Sequence, residues 1–338
     1  MRLLVTGGTG FLGGRLIPRL AEGGHQVFSL TRSASSREIL AAMGATPVTG
    51  DLEGGQPLSL PRVDAVVHAA ARFRFAGRRA PYFRTNVDGT AALLKAAEAA
   101  GARTFVHVSA AGIVMDDRGS PMRDLDESAP THPGSFSAYL ASKAQGEAAV
   151  LAADKPGFRT IALRPPGIWG PGDMWSRELP AAIASGQFAF IDRGDYTYAT
   201  CHVDNVVEAI ECALERGTGG RAYFINDRGR QTFREFVGRI AGVQGVSIDR
   251  LRSMPYRLAF FMGRMMETVW WLRRQAGDPP LSRSMVRMIG REFSTKDAAA
   301  RRELGYVGRT SLADGLRLYR VARPNKEATR HLEGAGVR

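Results

Sequence analysis

Short, mostly apolar β-like runs recur through the first half of the chain: RLLVTG, HQVFSLTR, ATPVTGDL, VDAVVHAAA and RTFVHVSAAG. Alanine-rich stretches with helical character separate them, GRLIPRLAEGG and TNVDGTAALLKAAEAAG among them. A strand apolar on both faces must be covered on both faces, and strands joined through helices run parallel. The pattern predicts an α/β fold, a doubly wound parallel sheet over residues 1–165, with some later segments returning to it. The second half is less regular and predicts a smaller substrate-binding lobe over 166–320. Within it AYFINDRG reads as a strand and TFREFVGRIAG as an amphipathic helix opened by Thr232. The tail, 321–338, has little apolar content and is expected to be flexible.

The first strand ends in TGGTGFLGG, and its glycines follow a strand and open a helix within a βαβ unit. In that context Gly7 permits the tight turn, Gly10 lets a pyrophosphate approach the backbone, and Gly13 lets helix and strand pack closely. The helix N-terminus then offers free N–H groups and a positive dipole end to phosphates. A dinucleotide is the expected cofactor. At the end of the second strand a carboxylate would bind both ribose hydroxyls, but the chain has Thr31 and then Arg32, followed by Ser33. A neutral residue beside a guanidinium suits a 2′-phosphate and favours NADP(H), with NAD(H) as the alternative.

With 338 residues the chain can bury a sizeable core. Its net charge of +13 comes from 46 Lys and Arg against 33 Asp and Glu. These cations are scattered and no nucleic-acid motif accompanies them, so a solvated basic surface or an anionic ligand is expected, not nucleic acid. Cys201 and Cys212 lie in no metal or redox motif and read as packed thiols; no metal site is expected, and a reducing cytoplasm fits. No targeting segment is visible at the N-terminus. The segment 254–280, MPYRLAFFMGRMMETVWWLRRQAGDPP, is too interrupted by charge to span a membrane. It is expected as a helix packed over the core, with a lid over an apolar substrate or a membrane-surface contact as alternatives.

Tyr139 and Lys143 stand four apart in SAYLASKAQGEAAV, so they share one helix face. A nearby ammonium would lower the phenol's pKa and make Tyr139 an acid/base for a carbonyl or carbinol oxygen. The spacing TGxxGxxG, GDL at Asp51, VVHAAA at His68 to Ala71, TNVDGT at Asn86, YLASK at Tyr139 to Lys143, and LRPPGIWGPGD at Leu163 to Asp173 together resemble the extended short-chain dehydrogenase/reductase superfamily, in its 3β-hydroxysteroid dehydrogenase-like branch. The resemblance implies a Rossmann fold and an NAD(P) site. That site would be built from Gly7, Gly10, Phe11, Leu12, Gly13, Thr31, Arg32, Asp51, Leu52, Ala69, Ala70, Ala71, Asn86, Ser109, Tyr139, Lys143, Pro166 and Ile168. It further implies that Lys143 grips the nicotinamide ribose, that Asp51 and Leu52 lie near the adenine, and that a homodimer forms.

One departure concerns the catalytic hydroxyl. Relatives carry Ser-Ser or Ser-Thr after the fifth strand, the second residue being catalytic, and that position is Ala110. Ser109 is the candidate replacement, provided the strand ends before it, because side chains along a strand alternate faces. A second departure is Tyr198, four residues before His202, where sugar-nucleotide enzymes of the superfamily place an arginine for the diphosphate. His202 itself reads as structural. The expected reaction is therefore alcohol–ketone interconversion on an apolar small molecule. The alternatives are a sugar-nucleotide epimerase or dehydratase with bound NAD, and a non-catalytic dinucleotide-binding assembly or sensor protein.

Overall fold

The computed structural model describes residues 1–321 apart from 56 and 276, so all of the expected tail beyond 321 lies outside the described residues. The alternating runs form β1 (Arg2–Thr6), α1 (Gly13–Glu22), β2 (Gln26–Thr31), α2 (Ala34–Ala42), β3 (Ala45–Thr49) and β4 (Ala65–His68). Then come α3 (Arg79–Phe83), α4 (Gly89–Ala99), β5 (Thr104–Val108), β6 (Met122–Leu125), α5 (Ala138–Ala152) and β7 (Arg159–Arg164). Next are β8 (Gly167–Trp169), α6 (Met174–Ala184), β9 (Phe190–Ile191), β10 (Thr200–His202), α7 (Val203–Glu215) and β11 (Arg221–Phe224). Finally come α8 (Phe233–Val243), β12 (Ser253–Met254), α9 (Tyr256–Leu272), α10 (Arg283–Ile289), β13 (Phe293–Thr295) and α11 (Leu312–Val321).

The main sheet has seven strands in the order β11-β7-β5-β4-β1-β2-β3, and every pair is parallel. Period-two alternation explains why its central strands carry apolar residues on both faces. Leu3 and Val5 face a core shared with Leu16 and Ile17 of α1 and Val206 and Ile210 of α7, while Leu4 faces Leu93 and Leu94 of α4 and Val150 of α5. The strand order reverses between β1 and β4, and in open α/β sheets ligands bind at the carboxyl ends beside such a reversal.

A third core, around Trp169, Leu179, Phe190, Phe233, Phe236, Ile240 and Tyr319, lies in the later half of the chain. Its helix α8 begins as Thr232 predicts. The Thr232 hydroxyl accepts from the Glu235 N–H, and the Glu235 carboxylate accepts from the Thr232 N–H, a reciprocal capping box. The segment 254–280 does form a helix, α9, and one narrow face of it packs into a small core with Ile191 and Val286, Phe260 resting against it. It buries only Tyr256, Ala259 and Gly263. Small residues allow a close, narrow contact: a Cβ on Gly263 would lie 2.9 Å from the Ser282 carbonyl carbon. Leu258, Phe261, Met265, Val269, Trp271 and Leu272 stay exposed on the other face. Among the described residues no helix is long and apolar enough to cross a membrane.

Candidate active site

The turn after β1 has the geometry its glycines require. Gly7 takes φ +76°, and a Cβ there would stand 2.8 Å from the Ala70 nitrogen; one on Gly13 would stand 2.3 Å from the Gly7 oxygen. Gly10 is exposed, and a Cβ on it would meet only the Gly7 oxygen, at 3.2 Å. The residue before α1, Leu12, makes no side-chain cap. A dinucleotide pyrophosphate fits this cradle. Gly8, not singled out in the sequence, is also crowded, since a Cβ would lie 2.4 Å from the Ser29 hydroxyl and 2.6 Å from side-chain ends of Ile17 and Leu40.

Behind the turn runs a buried polar relay that sequence reasoning missed. The Ala70 N–H donates to Thr6 Oγ1 at 3.2 Å, and Thr6 Oγ1 lies 2.7 Å from His68 Nδ1. His68 Nε2 lies 2.9 Å from Thr90 Oγ1, which donates to the Asn86 carbonyl at 2.8 Å. Because Thr90 spends its proton on that carbonyl, His68 must donate through Nε2, and Nδ1 must accept from Thr6. His68 is thereby a neutral, single tautomer, and burial foremost, then Lys143, pushes its pKa down to about 3. The only sequence signal was polar residues at strand ends that otherwise read as apolar.

Asn86 lies in a π-helical turn, Arg84–Asp88, between α3 and α4. Its Oδ1 accepts from the Arg72 N–H at 2.7 Å, and its Nδ2 donates to the Arg72 carbonyl at 3.1 Å and to Ser142 Oγ at 2.9 Å. It thus ties the loop after β4, which carries Ala69, Ala70 and Ala71, to the helix that carries Tyr139 and Lys143. On the other side, Ser109 follows β5 and Pro166 follows β7: the Ser109 N–H donates to Leu163 O at 2.7 Å and the Ala111 N–H to Pro165 O at 2.8 Å. Pro166 is buried and Ile168 lies partly exposed in β8.

Lys143 is turned inward. Its Nζ donates to the Val108 carbonyl at 2.7 Å and lies 3.2 Å from His107 Nε2, and burial pushes its pKa down to about 7 against the opposing effect of Glu147. Tyr139 is partly exposed, stacks edge-on to Phe73 at 4.8 Å, and has its pKa pushed up to about 12 by burial. This corrects the expected direction: the ammonium is committed to His107 and Val108, so desolvation alone acts on the phenol. β5 ends at Val108, as the Ser109 argument requires; Ser109 is buried and its Oγ has no partner among the described residues. Ala110 and Tyr139 both pack against the cluster of Ile113, Met115 and Leu140.

At the far end of the sheet Thr31 is buried, Arg32 is exposed, and Arg32 Nη1 stands 3.7 Å from the Asp51 carboxylate. Ser33 caps α2 by accepting from the Ser36 N–H. Arg37, passed over in the sequence, reaches across to the Thr49 hydroxyl. Tyr139 also lines a cavity of about 730 Å³ together with Phe75, Tyr82, Phe136, Trp270 and Trp271 and five arginines, Arg74, Arg78, Arg79, Arg274 and Arg283. His202 caps α7 through Nδ1, which accepts from the Asp204 N–H. Tyr198 is buried 5.0 Å from the Phe233 ring. Cys201 and Cys212 are free thiols.

Residues 3–225 match the model of the NAD dependent epimerase/dehydratase family. A 4-hydroxy-2-methyl-3-oxo-4-farnesyl-3,4-dihydroquinoline-1-oxide ketoreductase of Stigmatella aurantiaca is 37% identical over 96% of this chain and 97% of its own. A 2-alkyl-3-oxoalkanoate reductase of Stenotrophomonas maltophilia is 33% identical over 94% of this chain and 98% of its own. Among solved structures, a dTDP-glucose 4,6-dehydratase of Streptomyces venezuelae with NAD bound superposes with a TM-score of 0.73 at 26% identity, over 97% of this chain and 98% of that one.

Proposed function

Since the chain belongs to the NAD dependent epimerase/dehydratase family, as an oxidoreductase of the extended short-chain dehydrogenase/reductase type, we propose that it is an NADP(H)-dependent reductase of a ketone on an apolar substrate, with Tyr139 as the acid/base. The observation that carries this reading is Tyr139 itself. It opens onto an aromatic cavity, while its own helix is tied through Ser142 and Asn86 to the loop that packs on the glycine turn.

Gly7, Gly10, Phe11, Leu12 and Gly13 would hold the pyrophosphate, Asp51 and Leu52 the adenine, and Ala69 to Ala71, Pro166 and Ile168 the nicotinamide end, while Asn86 and Lys143, buried and bonded within the protein, would position the loops around it rather than grip the ribose as the resemblance implied. The bound dinucleotide supplies the hydride. The protein handles the proton. With its pKa raised to about 12 by burial, the Tyr139 phenol is protonated at neutral pH and can donate to a ketone oxygen. Ser109 is proposed as the second donor to that oxygen. A buried hydroxyl with no protein partner is costly unless a ligand satisfies it, and Ala110 offers none. Neutral Thr31 with Arg32, and Arg37 nearby, supports NADP(H). Both relatives named above are called reductases of keto compounds, which supports a ketone as substrate. The sugar-nucleotide reading is disfavoured because Tyr198 is packed among aromatic rings and supplies no cation for a diphosphate.

The test is calorimetric titration with NADPH and NADH, followed by the absorbance of reduced nicotinamide over a panel of long-chain 3-keto acids, steroids and cyclic ketones. Tighter binding of NADPH together with its consumption supports the reading. Tight binding with no turnover on any ketone, in wild type and Tyr139→Phe alike, would instead favour the sensor role that Ala110 allows.

A further inference from the structure

The outer face of α9 is unlike the rest of the surface. Leu258, Phe261, Met265, Val269 and Leu272 follow the spacing i, i+3, i+7, i+11, i+14 and form one stripe, opposite the buried Tyr256, Ala259 and Gly263. Each is between 42% and 67% exposed, and Trp271 beside them is 64% exposed. A contiguous apolar stripe of this size on one helix marks a contact surface.

The charges around the stripe have one sign. Arg257 and Arg264 flank it on one side and Arg273 on the other, with Arg274 at its end, and among the described residues none of them forms an ion pair. The one carboxylate of α9, Glu267, is turned inward and accepts from the Arg283 N–H and guanidinium, each at 2.7 Å. Exposed Arg74 and Arg78 lie across the cavity from the same helix.

We propose that α9 docks this protein on the surface of an anionic lipid bilayer, its apolar stripe entering the acyl boundary and its arginines meeting the headgroups. A second copy fits the face less well, because pairing two such helices would set Arg257 and Arg264 against arginines of the twin. Trp270 and Trp271 wall the cavity next to Tyr139, so the docked helix puts the mouth of the cavity at the lipid surface, where an apolar substrate enters without crossing water. The docking rests on α9 and holds whichever reaction the cavity performs.

The experiment is co-sedimentation of the full chain with phosphatidylcholine vesicles, with and without phosphatidylglycerol. Partitioning should favour the anionic vesicles, by on the order of fivefold for each arginine engaged, and should fall with salt. The double variant Phe261→Glu, Met265→Glu changes only exposed side chains. It should lose at least about tenfold in partitioning while keeping the wild-type melting temperature and NADPH affinity. Three outcomes would overturn the proposal: no sedimentation with either vesicle, sedimentation unchanged in the double variant, or a dimer by light scattering that the same variant dissociates, which gives the face to a second copy.

Discussion

At the residue scale the proposed reaction rests on Tyr139 as acid/base, and its removal should then be visible in rate alone. Tyr139→Phe is expected to lower kcat by about 10²- to 10⁴-fold with NADPH affinity retained, measured by steady-state kinetics and calorimetry. Ser109→Ala should cost about 10²-fold if its orphaned hydroxyl meets the substrate oxygen; an unchanged kcat would return that role to solvent. Arg32→Ala should weaken NADPH by about tenfold and leave NADH nearly unchanged, since only the former offers a phosphate to the guanidinium. The sequence nominated these residues in different ways: Tyr139 by its spacing from Lys143, Arg32 by its place after the second strand, and Ser109 by resemblance to the family. Their electrostatics were not legible there. Whether Lys143 acts on Tyr139 depends on where its Nζ is bonded, and His107 and Val108 reach it from a strand remote in sequence.

At the scale of elements, the glycine turn couples strand, helix and cofactor. Gly13→Ala would press a Cβ on two backbone oxygens, those of Gly7 and Gly8, which cannot rotate away as side chains do. We expect a stability loss of about 1–3 kcal/mol in chemical denaturation together with a collapse of dinucleotide affinity; a variant that melts normally and binds normally would mean the turn relaxes. Strands and the Thr232 cap were readable because both are local rules, side-chain period and capping chemistry. The packing of α9 was not, because its composition is apolar on both sides and only the tertiary contacts at Ala259 and Gly263 decide which side is inside.

For the molecule as a whole, the buried histidines set an acid limit. His68 and His107 are held neutral by burial, whereas the unfolded chain protonates both below about pH 6.5. The unfolded state therefore binds protons that the native histidines refuse, so their contribution to stability is intact above that pH and is lost as pH falls toward the lowered native values. Melting temperature should drop across this range, and His107→Asn should flatten the slope; an unaltered slope would place the proton uptake elsewhere. Sequence order could not reveal this pairing, because the two rings, 5.1 Å apart, come from β4 and β5 and meet only in the assembled sheet. The chain's four tryptophans are divided just as usefully. Trp169 is sealed and Trp175 is wedged against Phe233 and Phe236, but Trp270 and Trp271 wall the cavity. Their ultraviolet emission overlaps the absorption of a reduced nicotinamide, so ligand arrival should register as quenching by energy transfer and lipid arrival as a blue shift, making the protein its own optical reporter for both events.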